Sequence, residues 1–243
     1  MIAAQNLHKQ FGSVVAVDNV SFVAPDGAVT GVLGPNGAGK TTSLRMVYGL
    51  LKPERGSVLI DGIDMASHTL AAQRRIGVLP DISGLYPRLT PREHIRYFGR
   101  LQGVPSAELD HRIDTWVRLL DLGSIIDRRV AGFSHGERTK VALARALVHN
   151  PGNILLDEPT NGLDVMSTRA VRELIRHLRA EGRCVVFSSH VMQEVSALCD
   201  RIVVMGRGKV VAEGTPEDLL TLTGCASLED AFVHLVGPHG ETA

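Results

Sequence analysis

One short segment of the chain combines the residues needed to hold nucleotide phosphates. Glycines recur among small residues directly before a lysine and two threonines, which matches the P-loop pattern. Such glycines allow backbone N–H groups to point at phosphate oxygens. We expect Lys40 to reach the outer phosphates and the Thr41 hydroxyl to bind Mg²⁺. The predicted phosphate-binding residues are Gly34, Pro35, Asn36, Gly37, Ala38, Gly39, Lys40, Thr41 and Thr42.

Two carboxylates at the end of an apolar run form a second candidate site. Asp157 and Glu158 follow residues 154–156, and ligands of α/β proteins bind beyond the carboxyl ends of such strands. We expect Asp157 to hold Mg²⁺ through water and Glu158 to polarise the attacking water. An Asp-Glu pair after a strand is by itself more often a solvated turn. The P-loop upstream favours the functional interpretation.

The segments around these residues alternate between strand and helix patterns. An apolar strand over 28–33 precedes the glycines and a helix over 40–50 follows them, which is the setting that a P-loop requires. Later strand patterns, separated by helix patterns, indicate a mostly parallel sheet wrapped by helices. These strands are expected at 153–157, 183–188 and 201–205, and the helices at 167–181 and 191–199.

Two other regions have a different character. Residues 2–24 alternate apolar and polar side chains in two runs, which predicts an antiparallel hairpin. From about 82 to 150 strand patterns are absent. Helices are expected there near 91–102, 106–121 and 135–149. The predicted fold class is α/β, a P-loop domain over 1–223 with a mostly parallel sheet, an N-terminal antiparallel β subdomain and an inserted α-helical subdomain; a short helical tail follows over 224–243.

The composition excludes several classes of protein. The 243 residues include 26 Lys or Arg and 26 Asp or Glu, so no overall basic field attracts nucleic acid, and no nucleic-acid partner is expected. Cys184, Cys199 and Cys225 lack a CxxC spacing, which argues against a zinc site and favours a reducing compartment. No segment has the roughly 18 uncharged apolar residues of a membrane span, and the N-terminus lacks the apolar core of a signal peptide.

A further motif connects these observations to a known family. Ser134 precedes the helix predicted over 135–149, where it is suited to be the N-cap, about twenty residues before the carboxylates. Together with the P-loop, this order of motifs resembles the ABC ATPase family over residues 11–215. The family's signature motif corresponds to Ser134-His135-Gly136-Glu137, which departs from its commonest form at the second and fourth positions.

The resemblance implies roles for residues whose chemistry is otherwise ambiguous. In the family, the residues matching Ser134 and Gly136 face the γ-phosphate of ATP held by a second subunit, which implies a head-to-tail dimer with two shared sites. Asp164 ends a segment that resembles the D-loop, which crosses that interface, and we include it in the nucleotide site. His190 resembles the switch histidine that hydrogen-bonds the γ-phosphate and the attacking water. Phe11 resembles the aromatic residue that stacks on adenine; a hairpin core residue is the alternative.

One position departs from the family pattern. Asp81 follows residues 76–80, where the family's Q-loop normally has a glutamine. An ionised aspartate accepts hydrogen bonds from water or binds Mg²⁺, but it cannot donate as glutamine does. We therefore expect Asp81 to contact the metal together with Thr41 and Asp157, without the donor role.

The resemblance extends to a branch of the family. Residues 81–90, 161–169 and 188–195 resemble the ATPase subunits of sodium exporters (NatA type), a subgroup similar to the ABC-2 drug exporters. This implies ATP hydrolysis with Mg²⁺, a separate integral-membrane permease, and a cytoplasmic position on the inner face of the membrane through that permease. The permease is expected to dock on residues 82–98. The side chains expected to contact it are Leu85, Tyr86, Leu89, Ile95, Arg88, Arg92 and Arg96.

Two alternative functions follow from the same motifs. A soluble ABC ATPase that acts on ribosomes or DNA repair complexes usually carries two cassettes or long coiled-coil inserts, and this chain shows one cassette without sustained heptads. A GTP-hydrolysing switch would carry an Asn-Lys-x-Asp motif, which is absent from the sequence. The transporter interpretation is preferred, and the soluble ABC ATPase remains the alternative.

Overall fold

The computed structural model describes residues 1–81 and 84–237. Its strands are β1 Ile2–Phe11, β2 Val14–Ala24, β3 Val29–Leu33, β4 Arg55–Ile60, β5 Ile63–Asp64, β6 Ile76–Leu79, β7 Asn153–Asp157, β8 Cys184–Ser189, β9 Arg201–Gly206 and β10 Lys209–Gly214. Its helices are α1 Lys40–Val47, α2 Thr69–Gln73, α3 Pro91–Leu101, α4 Ser106–Leu119, α5 His135–Leu147, α6 Val165–Ala180, α7 Met192–Leu198, α8 Pro216–Thr223 and α9 Leu228–Val236.

A six-stranded sheet forms the centre of the fold. Its order is β10-β9-β3-β8-β7-β6, and every neighbouring pair from β9 to β6 is parallel, whereas β10 pairs with β9 antiparallel. The mostly parallel sheet expected from the alternating pattern is therefore confirmed. Because β3 and β7 run in the same direction, the P-loop after β3 and the carboxylates after β7 emerge at the same edge of the sheet.

Side chains on the two faces of this sheet enter two separate cores. Ile154 and Leu156 pack with the helices α3 to α6 on one face, whereas Leu155 packs on the other face with the N-terminal sheet. Successive strand residues point to opposite faces, so a strand that is covered on both sides reads as a continuous apolar run. This explains why residues 154–156 show no alternation of apolar and polar side chains.

The N-terminal hairpin belongs to a four-stranded antiparallel sheet with the order β2-β1-β4-β5. The predicted hairpin of β1 and β2 is confirmed, but β4 and β5 were not predicted. The connecting α1 ends at Val47, earlier than expected, and Gly49 follows with a φ of +74°. A left-handed residue after the last turn is a common helix end, and it returns the chain toward β4.

The helices between β6 and β7 are where the pattern predicted them. α3 begins with a capping box in which Thr90 accepts from the Glu93 N–H and Glu93 accepts from the Thr90 N–H. Ile95 is fully buried in the core shared with the sheet, so its expected contact with a partner is wrong. A helix that buries one apolar stripe against the sheet presents the other face to solvent, and Ile95 lies on the buried stripe.

The chain ends in two short helices. In α9, Leu228, Phe232 and Leu235 pack against the core on the helical face of the sheet. Residues 238–243 of the predicted tail lie outside the described residues. Within 1–81 and 84–237, no single helix has the length and apolarity to cross a membrane; taken together, α8 and α9 meet those criteria, but the pair is bent by 60°.

Candidate active site

A cavity of about 540 Å³ opens at the sheet edge where β3 and β7 end. The turn at the start of β2 forms one wall, and the segments that follow β6, β7 and β8 form the others. Its lining residues are Val14, Val15, Ala16, Pro35, Asn36, Gly37, Ala38, Gly39, Lys40, Thr41, Thr42, Asp81, Glu158, Asn161 and His190.

The P-loop is shaped by close backbone contacts that admit no side chain. Gly39 has a φ of +95°, and a Cβ there would lie 2.5 Å from the Ala16 carbonyl oxygen. A Cβ on Gly34 would lie 2.6 Å from the Met205 carbonyl oxygen. Larger residues at either position would displace the loop from β2 or β9. The glycines are therefore required both for the phosphate-binding turn and for its seat on the sheet.

Lys40 lies inside this loop with its ammonium group already engaged. The Nζ atom donates to the carbonyl oxygens of Gly34 at 2.8 Å and Pro35 at 3.2 Å. It also lies 3.4 Å from Glu158 Oε1, and the lysine is 6% exposed. An anionic phosphate entering the cavity would compete for these same N–H donors.

The acidic end of β7 contacts the P-loop helix directly. Asp157 Oδ1 accepts from the Thr41 hydroxyl at 3.1 Å and from the Ser188 hydroxyl at 2.6 Å. Asp157 Oδ2 is buried and has no hydrogen-bond partner in the part of the chain that the structure describes. Burial, the largest cause, raises the pKa of Asp157 above its usual value.

This arrangement fits a divalent cation that receives some of its oxygen ligands from the protein and the others from a bound phosphate and water. Mg²⁺ prefers oxygen donors, and the unpartnered Asp157 oxygen beside the Thr41 hydroxyl supplies them. Among residues 1–81 and 84–237 no group of three His, Cys, Asp or Glu side chains could hold a metal ion. A Mg²⁺ ion at Asp157 would therefore need further oxygens from phosphate and water.

Glu158 and His190 form a pair at the mouth of the cavity. Glu158 Oε2 lies 2.9 Å from His190 Nδ1, and its backbone has a φ of +49°, which is uncommon for a residue with a side chain. The Glu158 N–H donates to the Ser188 hydroxyl at 2.9 Å, which holds this turn. The unusual backbone conformation turns the Glu158 side chain toward Lys40 and His190.

Ser188 is a site residue that the sequence interpretation missed. Its hydroxyl accepts from the Glu158 N–H and donates to Asp157, so it positions both carboxylates. The parallel register of β7 and β8 places Ser188 directly beside Asp157. The available signal was a serine at the end of an otherwise apolar strand, next to the strand that carries the carboxylates.

The structure brings most of the predicted residues together, and others lie elsewhere. Eight residues of the P-loop segment from Pro35 to Thr42, together with Asp81, Glu158 and His190, line the cavity. Phe11 is not in the lining; its ring is 51% exposed and Lys9 Nζ lies 5.5 Å from the ring centroid. The predicted residues that also lie outside the lining are Gly34, Ser134, Gly136, Asp157 and Asp164.

Gly136 lies against the start of α6, and Ser134 caps the helix that carries Gly136. Ser134 caps α5 by accepting from the Glu137 N–H, and Glu137 accepts from the Ser134 N–H. A Cβ on Gly136 would lie 2.5 Å from the Ser167 Oγ. Asp164 caps α6 by accepting from the Ser167 N–H at 2.9 Å. These contacts join the signature segment and the D-loop segment into one surface.

Comparisons with known proteins agree with this geometry. The profile of the ABC transporter family matches residues 17–161. The chain is 46% identical over 207 residues to the ABC transporter ATP-binding protein NatA of Bacillus subtilis, covering 85% of this chain and 84% of that protein. It is 35% identical over 230 residues to the Nod factor export ATP-binding protein I of Ralstonia nicotianae, covering 94% and 72%.

Solved structures give the same result. An ATP-binding subunit of an ABC transporter superimposes with a TM-score of 0.91 at 29% identity, covering 98% of this chain and 100% of that one. A dimeric ATP-binding cassette in a post-hydrolysis state with ADP and Pi has a TM-score of 0.80 at 27% identity, covering 88% and 98%. The protein cbiO1 of Clostridium perfringens, part of the transporter complex cbiONQ, has a TM-score of 0.79 at 25% identity, covering 90% of each chain.

Proposed function

Because the chain belongs to the ABC transporter ATPase family, as an ATP-binding subunit that hydrolyses ATP, we propose that two copies close head to tail around ATP and power a separate membrane permease. One observation carries this proposal: Lys40, Glu158 and His190 meet at one cavity, whereas Ser134 and Gly136 lie outside its lining, with Gly136 against α6. A site that uses both sets is completed by a second chain, and a symmetric pair then has two such sites.

The contacts of His190 suggest how binding prepares hydrolysis. A neutral imidazole carries one N–H, so in that form His190 donates either to Glu158 or to a phosphate, but not to both. When ATP binds, His190 donates to the γ-phosphate instead, and Lys40 leaves Glu158 for the phosphate oxygens. Glu158, released from both, accepts a hydrogen bond from the attacking water and takes its proton.

The remaining predicted residues are assigned to the metal ion and to the adenine ring of ATP. Thr41 and Asp157 would hold Mg²⁺, and Asp81, which lines the same cavity, would contribute an oxygen to the ion or its water shell. When bound, the ion neutralises charge on the phosphates. The exposed ring of Phe11 stacks on adenine, because an exposed aromatic face near a nucleotide site is a suitable stacking surface.

A mixing experiment tests the shared site. Lys40→Ala removes the phosphate contact in one chain. Ser134→Asp keeps an N-cap for α5, because aspartate caps as well as serine does, but places a negative charge toward the γ-phosphate. Each variant alone should be inactive. Mixing them in equal amounts should restore about one quarter of the wild-type rate, since half of the random dimers are mixed and each mixed dimer has one intact site.

The control is another helix cap of the same type. Thr215 caps α8 with the same reciprocal contacts to a residue three positions later, far along the chain from the P-loop. Thr215→Asp should hydrolyse ATP at the wild-type rate. If the mixture of Lys40→Ala and Ser134→Asp stays as inactive as its components, the head-to-tail site is wrong.

The permease would dock on the exposed side of the segment before and within α3. Tyr86 is 54% exposed and its ring stacks on His94, with 5.6 Å between centroids, so it is held in place at the surface. Arg92 pairs with Asp127 and Asp114, and Arg96 pairs with Asp110. Because these arginines are already neutralised, Tyr86 is the better anchor for a cytoplasmic helix of the permease.

A substitution at Tyr86 tests the partner. From detergent-solubilised cells, the wild-type chain should co-purify with a polytopic membrane protein, and Tyr86→Asp should lose it while keeping its basal ATPase rate. Leu222→Asp, at a similarly exposed apolar residue of α8, should keep it. Recovery of ribosomal particles instead, with no membrane protein, would favour the alternative of a soluble ABC ATPase acting on ribosomes or DNA repair complexes.

The name of one relative supports export as the direction of transport. The similar protein of Ralstonia nicotianae is a Nod factor export protein, and NatA of Bacillus subtilis is an ABC transporter ATP-binding protein. We therefore assign export to the permease, with sodium or a drug as the cargo class, and place this subunit on the inner face of the membrane through that permease. Uptake of the cargo into right-side-out vesicles in the presence of internal ATP would contradict export.

A further inference from the structure

Glu194 is a buried carboxylate outside the cavity. It lies in α7, directly after the turn that carries His190, and it is 3% exposed. An ionised side chain at such a position is costly unless it is paired and hydrogen-bonded.

Three side chains from three different segments converge on Glu194. Its Oε2 accepts from the Thr160 hydroxyl at 2.5 Å and from the Ser189 hydroxyl at 3.3 Å. Its Oε1 lies 3.5 Å from Arg172 Nη2 in α6, which balances the charge. Both oxygens are therefore engaged, and the carboxylate joins the ends of β7 and β8 to α6.

Two of these contacts lead to the residues assigned to hydrolysis. Ser189 also accepts from the Val191 N–H at 3.0 Å, which closes a turn around His190. Thr160 lies two residues after Glu158, in a turn where the Asn161 N–H donates to the Glu158 carbonyl at 3.1 Å. The Glu194 carboxylate thus holds both turns on the side away from the cavity, while Glu158 and His190 lie 2.9 Å apart on the cavity side.

We propose that Glu194 is a positioning residue for ATP hydrolysis, which sets the spacing of Glu158 and His190 by binding Thr160 and Ser189. This inference rests on the roles proposed above for Glu158 and His190. Glu194 is buried and does not line the cavity, so it acts only through those two side chains. Loosening it should reduce the rate of the chemical step without weakening ATP binding, because the P-loop contacts are separate from it.

Two variants separate positioning from folding. Thr160→Val removes one hydrogen bond to Glu194 and keeps its pairing with Arg172; Glu194→Gln removes the charge directly. Each should lower kcat by about tenfold, and the dissociation constant for a fluorescent ATP analogue should change by less than about twofold. The matched control is Thr30→Val, since Thr30 is fully buried in β3 and its hydroxyl has no partner within the described ranges. It should keep the wild-type kcat.

A double-mutant cycle then tests whether the effect passes through His190. In a His190→Ala background, Thr160→Val should lower kcat by less than about twofold further, because Glu158 then has no His190 side chain against which its spacing matters. A tenfold loss in both backgrounds, or no loss in either, overturns the positioning role and leaves the proposed function intact. A wild-type rate for His190→Ala alone removes the role proposed for His190 in hydrolysis, and with it the positioning role of Glu194. If Glu194→Gln fails to fold, Thr160→Val still decides the result.

Discussion

Glu158 Oε2 lies 2.9 Å from His190 Nδ1, and Glu158 Oε1 lies 3.4 Å from Lys40 Nζ. One carboxylate therefore contacts both the histidine and the lysine of the cavity. The glutamate side chain is 13% exposed, which strengthens both contacts relative to open solvent. Without nucleotide, the proposed base is therefore engaged by groups that ATP would recruit. In the proposed mechanism, ATP binding and the activation of Glu158 are coupled because both involve Lys40 and His190.

Replacing Glu158 by glutamine should separate ATP binding from hydrolysis. Glu158→Gln keeps the shape of the side chain but lacks a basic oxygen, so kcat should fall by about 10²-fold or more. ATP binding should persist, and an ATP-bound dimer should accumulate in size-exclusion chromatography. Glu173→Gln, at an exposed glutamate of α6 paired with Arg169, is the control and should behave as wild type. Normal turnover by Glu158→Gln would remove its role as the base.

Asp81 should influence the requirement for Mg²⁺. Its carboxylate lines the cavity, and Asp81→Ala removes an oxygen that we assign to the ion or its water shell. The Mg²⁺ concentration that half-saturates binding of a fluorescent ATP analogue should rise several-fold, and Asp81→Gln should restore it because the amide keeps an oxygen. Asp114→Ala, at an exposed aspartate of α4, should leave it unchanged. Equal Mg²⁺ dependence in Asp81→Ala and wild type would exclude the metal role.

The buried carboxylate of Asp157 should make the nucleotide-free protein less stable as pH rises. Burial raises the pKa of Asp157, so the folded state favours its protonated form more than the unfolded chain does. That contribution to stability is complete below the ordinary aspartate pKa and is lost as pH rises through the raised value. Asp157→Asn should therefore increase the unfolding temperature at about pH 7 without Mg²⁺, and the difference should shrink toward about pH 4.

A surface aspartate with the opposite shift is the control for Asp157. Hydrogen bonding to Arg96 lowers the pKa of Asp110, so its charged form is favoured in the folded state. Asp110→Asn should not increase the unfolding temperature at neutral pH. If Asp157→Asn is no more stable than wild type at neutral pH, the negative charge of Asp157 does not destabilise the folded protein and this prediction is wrong.

Gly136 should tolerate no side chain. An added Cβ would lie 2.5 Å from Ser167 Oγ and 3.2 Å from Ser167 Cβ, so Gly136→Ala would push the start of α6 away from α5. Because both segments are assigned to the dimer interface, ATPase activity should fall about tenfold with little change in thermal stability. Gly123→Ala is the control, since nothing lies within 4 Å of its added Cβ and its φ is not positive. Full activity of Gly136→Ala would show that Ser167 can move away from the added methyl group without disturbing the interface.

Local sequence patterns were sufficient to find the centre of the site. Lys40 and Thr41 belong to a contiguous motif whose function depends on neighbouring glycines, and a strand and a helix on either side could be predicted from short-range periodicity. The same holds for Asp157 and Glu158, which end an apolar run. Since parallel strands end at one edge, this much of the sequence also predicted that the two motifs would meet.

The tertiary structure alone decided which distant residues support those motifs. Ser188 reaches Asp157 because of the register of two neighbouring strands, and Glu194 reaches Thr160 because of how α7 packs. Which side of α3 is buried, with Ile95 on it, depends on the segments that pack beside that helix. Likewise β4 is a strand because β1 offers an edge to pair with, and the two-residue β5 pairs in turn with β4. Contacts of this kind join residues far apart in the chain, so no local pattern contains them: burial and register are properties of the assembled sheet.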